Sequence, residues 1–339
     1  MEPQSPAIRT ESLSKHFGSF VAVDQVSFEV YPGEAFGLLG PNGAGKTTII
    51  RMLTTLLRPT SGRAEVSGFD VVRAAHRVRE SIGVIPQAMT SDLDLTGWEN
   101  LDIYGEFYGV ARRERRDRAK RLLEMVGLTE RARDLVATYS GGMRRRLEIA
   151  RGLLHEPKVL FLDEPTIGLD PQSRRVVWDL LERLRRETEL TISLTTHYMD
   201  EAENLCDRIA IVDGGKIVAL DTPAGLKAGI RGADLIELEV DAEAEQVAAA
   251  LRAQPYVREL THTGNGKISV SVEDGARAIP KIIDQIVSAG RKVVSVGLRP
   301  VSLEDVFIHF TGRTLLDVPA RKVSFLIGAG MPQQMPPRS

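Results

Sequence analysis

A lone cysteine, Cys206, in a chain of 339 residues excludes an intramolecular disulfide and any zinc site built on several thiolates. No apolar run approaches the roughly 18–20 residues that a membrane-spanning helix requires. The opening Met1-Glu2-Pro3-Gln4-Ser5-Pro6 is polar and lacks the pattern of a secretory signal, so a cytosolic chain is expected. The net charge of −2 is too small to argue for nucleic acid or an acidic surface as a general partner. Aromatic residues are only 5% of the chain against 42% hydrophobic overall, so the core must be mainly aliphatic. That length exceeds what one core serves comfortably, which suggests a large domain and a smaller one.

What is present is more specific. Gly40-Pro41-Asn42-Gly43-Ala44-Gly45-Lys46-Thr47-Thr48 fits the pattern G-x-x-x-x-G-K-[ST]. Ala35 to Leu39 before it reads as a buried strand, and Thr48 to Leu53 after it has helical character. Glycines let such a loop turn its N–H groups inward around a polyphosphate, with the helix N-terminus adding a favourable potential. Lys46 is then placed to reach the terminal phosphates, and the Thr47 hydroxyl to bind Mg²⁺. The strand–loop–helix context predicts binding of a nucleoside triphosphate.

Ile8–Leu13 and Val26–Val30 look like opening strands, and later strand-length apolar runs lie at Ser81–Ile85, Lys158–Leu162, Thr191–Thr195 and Arg208–Val212. Helical stretches separate most of them, which predicts a largely parallel sheet covered by helices. Residues 93–137 read as helices only, with Leu101, Tyr104, Phe107 and Tyr108 at helical spacing and expected in the core. The basic run 112–121 is broken by acidic residues and is expected to be a solvated helix face. The histidines at 16, 76, 155, 262 and 309 fit no ligand spacing. From Asp234 to Val296 the order is β-α-β-β-α-β, the ferredoxin-like arrangement, closed by a helix at Ser302–Phe310. Residues 313–339 have no sustained period and are expected to be disordered.

Val159-Leu160-Phe161-Leu162 delivers Asp163 and Glu164 to the C-terminal end of a buried strand, the edge where ligands gather in open α/β sheets. Asp163 can hold Mg²⁺, and Glu164 can polarise an attacking water. Tyr139-Ser140-Gly141-Gly142-Met143 offers an N-cap serine and two glycines whose N–H groups can face an anion.

With these in place, the chain resembles the ATP-binding-cassette (ABC) ATPases, the nucleotide-binding subunits of ABC transporters, over about residues 8–230. Residues 40–48 match the Walker A loop and Leu160–Glu164 the Walker B strand. Ser140-Gly141-Gly142 matches the signature loop, and Gly168-Leu169-Asp170 the D-loop. Gln87 looks like the Q-loop glutamine, His197 like the switch histidine, and Phe17 like the aromatic that stacks on adenine. Two departures stand out. Tyr139 and Met143 replace the commoner Leu and Gln of the signature, and Met143 cannot make a glutamine's hydrogen bonds. Phe20 also competes with Phe17.

The resemblance implies an α/β fold: a P-loop NTPase of the ABC type at residues 7–230 with an inserted helical subdomain at about 93–137. A small α+β, ferredoxin-like domain at 232–312 follows. It implies ATP and Mg²⁺ as cofactors, with catalytic roles for Lys46, Gln87, Glu164 (general base) and His197 (γ-phosphate sensor). Phe17, Gly40, Pro41, Asn42, Gly43, Ala44, Gly45, Lys46, Thr47, Thr48, Ser140, Gly141, Gly142 and Asp170 would bind nucleotide. Thr47, Gln87 and Asp163 would hold the metal. Two copies would pair head to tail, each ATP lying between one P-loop and the partner's signature loop.

The Q-loop region 83–95, the sequence 139–147 and Leu303-Glu304-Asp305-Val306-Phe307 look like the daunorubicin-resistance exporter type. Such ATPases work with a separate ABC-2 type permease at the cytoplasmic face of the membrane. The resemblance names no cargo and implies no nucleic-acid partner. A soluble ATPase of the same family acting on ribosomes or nucleic acid is the alternative.

Overall fold

The structure, a computed structural model, describes residues 5–229, 234–241, 244–263 and 266–312. The expected tail at 313–339 and the hairpin tip Gly264-Asn265 lie outside the described residues.

Two antiparallel strands, β1 (Ile8–Phe17) and β2 (Phe20–Val30), open the chain. The buried strand β3 (Ala35–Leu39) then feeds the glycine loop and α1 (Lys46–Leu53). Short strands β4 (Ser61–Val66) and β5 (Phe69–Asp70) precede α2 (Ala75–Ser81) and β6 (Ile82–Ile85). β1, β2, β4 and β5 form a four-stranded antiparallel sheet of their own, in the order β2-β1-β4-β5. The opening strands at Ile8–Leu13 and Val26–Val30 therefore pair antiparallel with each other, and the first also with β4. Strand character is local, but the choice of partner strand is not, and β4 (Ser-Gly-Arg-Ala-Glu-Val) buries only Ala64 and Val66.

The helical region contains α3 (Gly97–Phe107) and α4 (Arg112–Met125), and α5 (Gly141–Leu153) follows. Thr96 and Glu99 cap α3 reciprocally, each side chain accepting from the other's backbone N–H. Leu101 is buried as expected, but Phe107 is 83% exposed and Tyr108 is exposed too. Helical spacing told which residues share a face and not which face turns inward. The basic run is only partly solvated: Arg115 is buried against Asp102 (2.6 Å), and Arg118 bonds Glu114 (2.6 Å) and Glu156 (2.9 Å).

The remaining core elements are β7 (Val159–Asp163), α6 (Pro171–Glu187), β8 (Thr191–Thr196), α7 (Met199–Leu205), β9 (Arg208–Asp213), β10 (Lys216–Asp221) and α8 (Pro223–Ala228). They complete a six-stranded sheet, β10-β9-β3-β8-β7-β6, parallel except for β10. Parallel register is what assembles the site. Leu39 lies level with Thr196, and Asp163 with Thr195, so three strands end together at one edge.

The C-terminal part runs β11 (Asp234–Val240), α9 (Ala244–Arg252), β12 (Val257–Thr263), β13 (Lys267–Val272), α10 (Gly275–Ser288), β14 (Val293–Pro300) and α11 (Leu303–Thr311). Its antiparallel order β12-β13-β11-β14 follows the expected β-α-β-β-α-β plan. Ile236, Leu238, Val270, Leu251, Ile282 and Ile286 form a separate small core. Leu303, Val306 and Phe307 of α11 are wholly buried and join the core of the larger part instead.

Candidate nucleotide-binding and catalytic site

A cleft of about 320 Å³ lies beside the glycine loop. It is lined by residues 41–48, by Phe17, Phe20 and Ala22 on the antiparallel sheet, and by Gln87 and Glu164. Gly45 has φ +108°, and a Cβ there would stand 2.6 Å from the Ala22 carbonyl oxygen, so only glycine lets the loop close at this point. Gly40 does not line the cleft. Its N–H donates to the Thr196 carbonyl (3.2 Å), and a Cβ would meet the Val212 carbonyl oxygen at 2.2 Å. Gly40 thus lets β3 pack closely on its neighbours.

Lys46 is buried, its Nζ donating to the carbonyls of Gly40 (2.6 Å) and Pro41 (3.1 Å) and pairing with Glu164 Oε1 at 3.2 Å. Burial lowers its pKa despite the opposing charge of Glu164. Thr47 Oγ1 donates to Asp163 Oδ1 (3.0 Å), which also accepts from Thr195 Oγ1 (2.6 Å). A hydroxyl and a carboxylate oxygen held side by side at a phosphate loop fit the hard, oxygen-seeking Mg²⁺. Thr195 escaped the sequence reading because a threonine inside a strand gives no sign of which neighbour it supports.

Glu164 leaves the strand with φ +50°, and its N–H is held by Thr195 through both the backbone carbonyl (3.1 Å) and Oγ1 (3.0 Å). Its Oε2 lies 2.7 Å from His197 Nδ1. Burial pushes the Glu164 carboxyl up, but the His197 hydrogen bond and the Lys46 charge outweigh it and hold it below the ordinary range. The expected base and the expected sensor are therefore in direct contact. Phe17 and Phe20 both line the cleft, with Lys15 Nζ 5.2 Å from the Phe17 ring centre.

Ser140, Gly141, Gly142 and Asp170 are not among the residues lining this cleft. Ser140 caps α5, its hydroxyl accepting from Met143 N–H (3.2 Å), and Met143 packs against the main core. Asp170 caps α6, accepting from Ser173 N–H at 2.9 Å. Glu201 is a further residue the sequence did not single out. Wholly buried, it accepts from Thr166 Oγ1 (2.7 Å) and Trp178 Nε1 (3.1 Å), and burial pushes its carboxyl up. It ties the segment after β7 to the helix after His197. A larger cavity of about 810 Å³, bordered by Pro6, Leu122, Met125 and Leu184, includes none of the glycine-loop or β7 residues.

Backbone donors at a helix start, with an acid–hydroxyl pair and a carboxylate beside them, are the working parts of a P-loop nucleoside triphosphatase. Residues 23–167 match the ABC transporter family, and residues 222–311 match the C-terminal domain of DrrA1-3-like ATP-binding proteins. The daunorubicin resistance ATP-binding protein DrrA3 of Streptomyces coeruleorubidus is 44% identical over 306 residues, covering 90% of this chain and 96% of the relative. The linearmycin resistance ATP-binding protein LnrL of Bacillus subtilis is 38% identical over 311 residues, covering 91% and 100%. Among solved structures, cbiO1 of Clostridium perfringens matches with a TM-score of 0.62 at 27% identity, over 67% of this chain and 92% of that one. The ATP-binding cassette MJ0796, solved as a dimer with ADP and phosphate, matches with a TM-score of 0.58 at 26% identity, over 63% and 98%. The chain belongs to the ATP-binding subunits of ABC transporters, in the group that carries a DrrA-type C-terminal domain, and it is an ATPase.

Proposed function

We propose that this chain energises a separate ABC-2 type membrane permease that exports a drug, lipid or related hydrophobic cargo. The observation that carries this reading is the division of the nucleotide machinery. One edge of the sheet gathers the glycine loop, Asp163, Glu164 and His197, while Ser140-Gly141-Gly142 cap a helix outside that cleft. Two copies joined head to tail would complete each other's sites, with ATP between them.

In this reading the loop N–H groups and Lys46 bind the phosphates, and Phe17 or Phe20 stacks on the base. Thr47, Asp163 and Gln87 would hold Mg²⁺, which neutralises charge on the phosphate oxygens. Glu164 takes the proton of the water that attacks the γ-phosphorus as the bond to ADP breaks. His197, hydrogen-bonded to Glu164, senses the γ-phosphate. Loss of those contacts loosens the pair of subunits, a shift of population driven by differential binding. Names of relatives that confer resistance to daunorubicin, doxorubicin and linearmycin, or that export Nod factor, support an exporter and leave the cargo open. No helix among the described residues is long and apolar enough to cross a membrane, so the permease would be a separate chain. Met89, Leu93, Ile103 and Phe107, near the Q-loop and on α3, are exposed apolar side chains that such a partner would cover.

The test is detergent co-purification of tagged Glu164→Gln protein from its native host with ATP present. Recovery of a polytopic membrane protein is expected. Recovery of ribosomes, nucleic acid or soluble partners alone would overturn the transport reading and leave the ATPase chemistry standing.

A further inference from the structure

Two charged residues of α5 are almost fully buried and take no part in the nucleotide cleft: Arg145 at 1% exposure and Glu148 at 2%. They stand three positions apart and so share one face of the helix. Arg145 Nη1 donates to the Pro86 carbonyl (2.8 Å) and Nη2 to the Gln87 carbonyl (3.0 Å). Glu148 accepts from the backbone N–H groups of Thr90 (2.9 Å) and Ser91 (2.5 Å) and from the Thr90 hydroxyl (2.9 Å). Arg151 Nη1 closes the set, donating to Glu148 Oε1 (3.1 Å) and standing 3.4 Å from Thr90 Oγ1.

A guanidinium thus grips the carbonyls at one end of the 86–91 loop, and a carboxylate grips the N–H groups at the other. Desolvating two charges is costly, and satisfied backbone partners at both ends are what offset that cost. A loop that merely crossed the surface would bond water and need neither. We propose that Arg145 and Glu148 are positioning residues for Gln87, clamping its loop to α5 so that Gln87 and the Ser140-Gly141-Gly142 cap at the start of the same helix move as one piece. This inference rests on the catalytic role given to Gln87 above.

Amide exchange tests the clamp directly, without nucleotide. In Glu148→Ala the Thr90 and Ser91 amides should exchange at least about tenfold faster, while those of β7 do not change; equal protection at Thr90 and Ser91 would overturn the clamp. A double-mutant cycle then tests the positioning role. Glu148→Ala should lower kcat by about 10- to 100-fold, the scale of a slightly misplaced group, and raise the half-saturating Mg²⁺ concentration. Binding of a fluorescent ATP analogue in EDTA should be unchanged. In a Gln87→Ala background the same substitution should cost less than about twofold. An equal loss in both backgrounds would overturn the positioning role and leave Gln87 catalytic. Full activity of Gln87→Ala alone would instead remove the catalytic reading of Gln87, and this inference with it. If Glu148→Ala does not fold, Glu148→Gln, which keeps the volume and one acceptor oxygen, and Arg145→Met enter the same cycle with the same criteria.

Discussion

Glu164 is held from two sides, by Lys46 at 3.2 Å and His197 at 2.7 Å, and its φ of +50° aims it out of the strand that delivers it. Replacing Glu164 by Gln keeps the shape and removes the base. Turnover should fall by roughly 10²–10⁴-fold with ATP binding retained, and normal phosphate release by the variant would refute the assignment. Lys46→Ala should abolish ATP binding, since it removes the buried cation held against the Gly40 and Pro41 carbonyls of the loop; tight binding by this variant would contradict the phosphate-cradle reading.

The lowered pKa of Glu164 also has a consequence for stability. A carboxyl held below its unfolded value of about 4.3 stabilises the fold above that pH and loses the contribution as pH falls through the folded value. The melting temperature of the wild type should therefore exceed that of Glu164→Gln at pH 7, and the gap should shrink as pH drops below about 4. A gap that is constant with pH would mean that the carboxylate's ionisation contributes nothing. At this scale the sequence was legible where chemistry is local: Lys46, Thr47, Asp163 and Glu164 stand where their motifs say. Arg145, Glu148 and Glu201 were not legible, because a buried charge looks like a surface one until its partners, far along the chain, are known.

Among elements, α5 and α3 carry the clearest consequences. Ser140→Ala removes the α5 cap and should cost about 1 kcal/mol of stability. It should also weaken ATP-driven pairing of the Glu164→Gln protein in size-exclusion chromatography while leaving ATP binding by single subunits intact. Pairing as strong as that of the parent would exclude a signature-loop contact with nucleotide. On α3, Phe107 is 83% exposed, so Phe107→Ser should leave folding and basal ATPase unchanged and reduce recovery of the permease. Undiminished recovery would move the docking surface elsewhere. The helical stretches were readable from their periodicity, yet Phe107 was expected inside. Period reports which residues share a face, and only the packing of α3 against α4 and α5 decides which face is covered.

For the molecule as a whole, α11 is the fastening. Leu303, Val306 and Phe307 are wholly buried in the core of the ATPase part, although the chain reaches them through a sheet with a core of its own. Phe307→Ala should cost about 3–5 kcal/mol in denaturant unfolding and should destabilise the ATPase part itself. A loss confined to the C-terminal sheet would show that the two parts are stable independently. The sequence alone determined the glycine loop, the Asp163-Glu164 pair at the end of β7 and the order β-α-β-β-α-β, because each depends on spacing within one short stretch. Tertiary structure alone decided that β1, β2, β4 and β5 form a sheet of their own, that Glu164 meets His197, and that α5 grips the loop holding Gln87. Those outcomes depend on strand pairing and burial between residues far apart in the chain, where the free energy is set by the partner found and not by the residue itself.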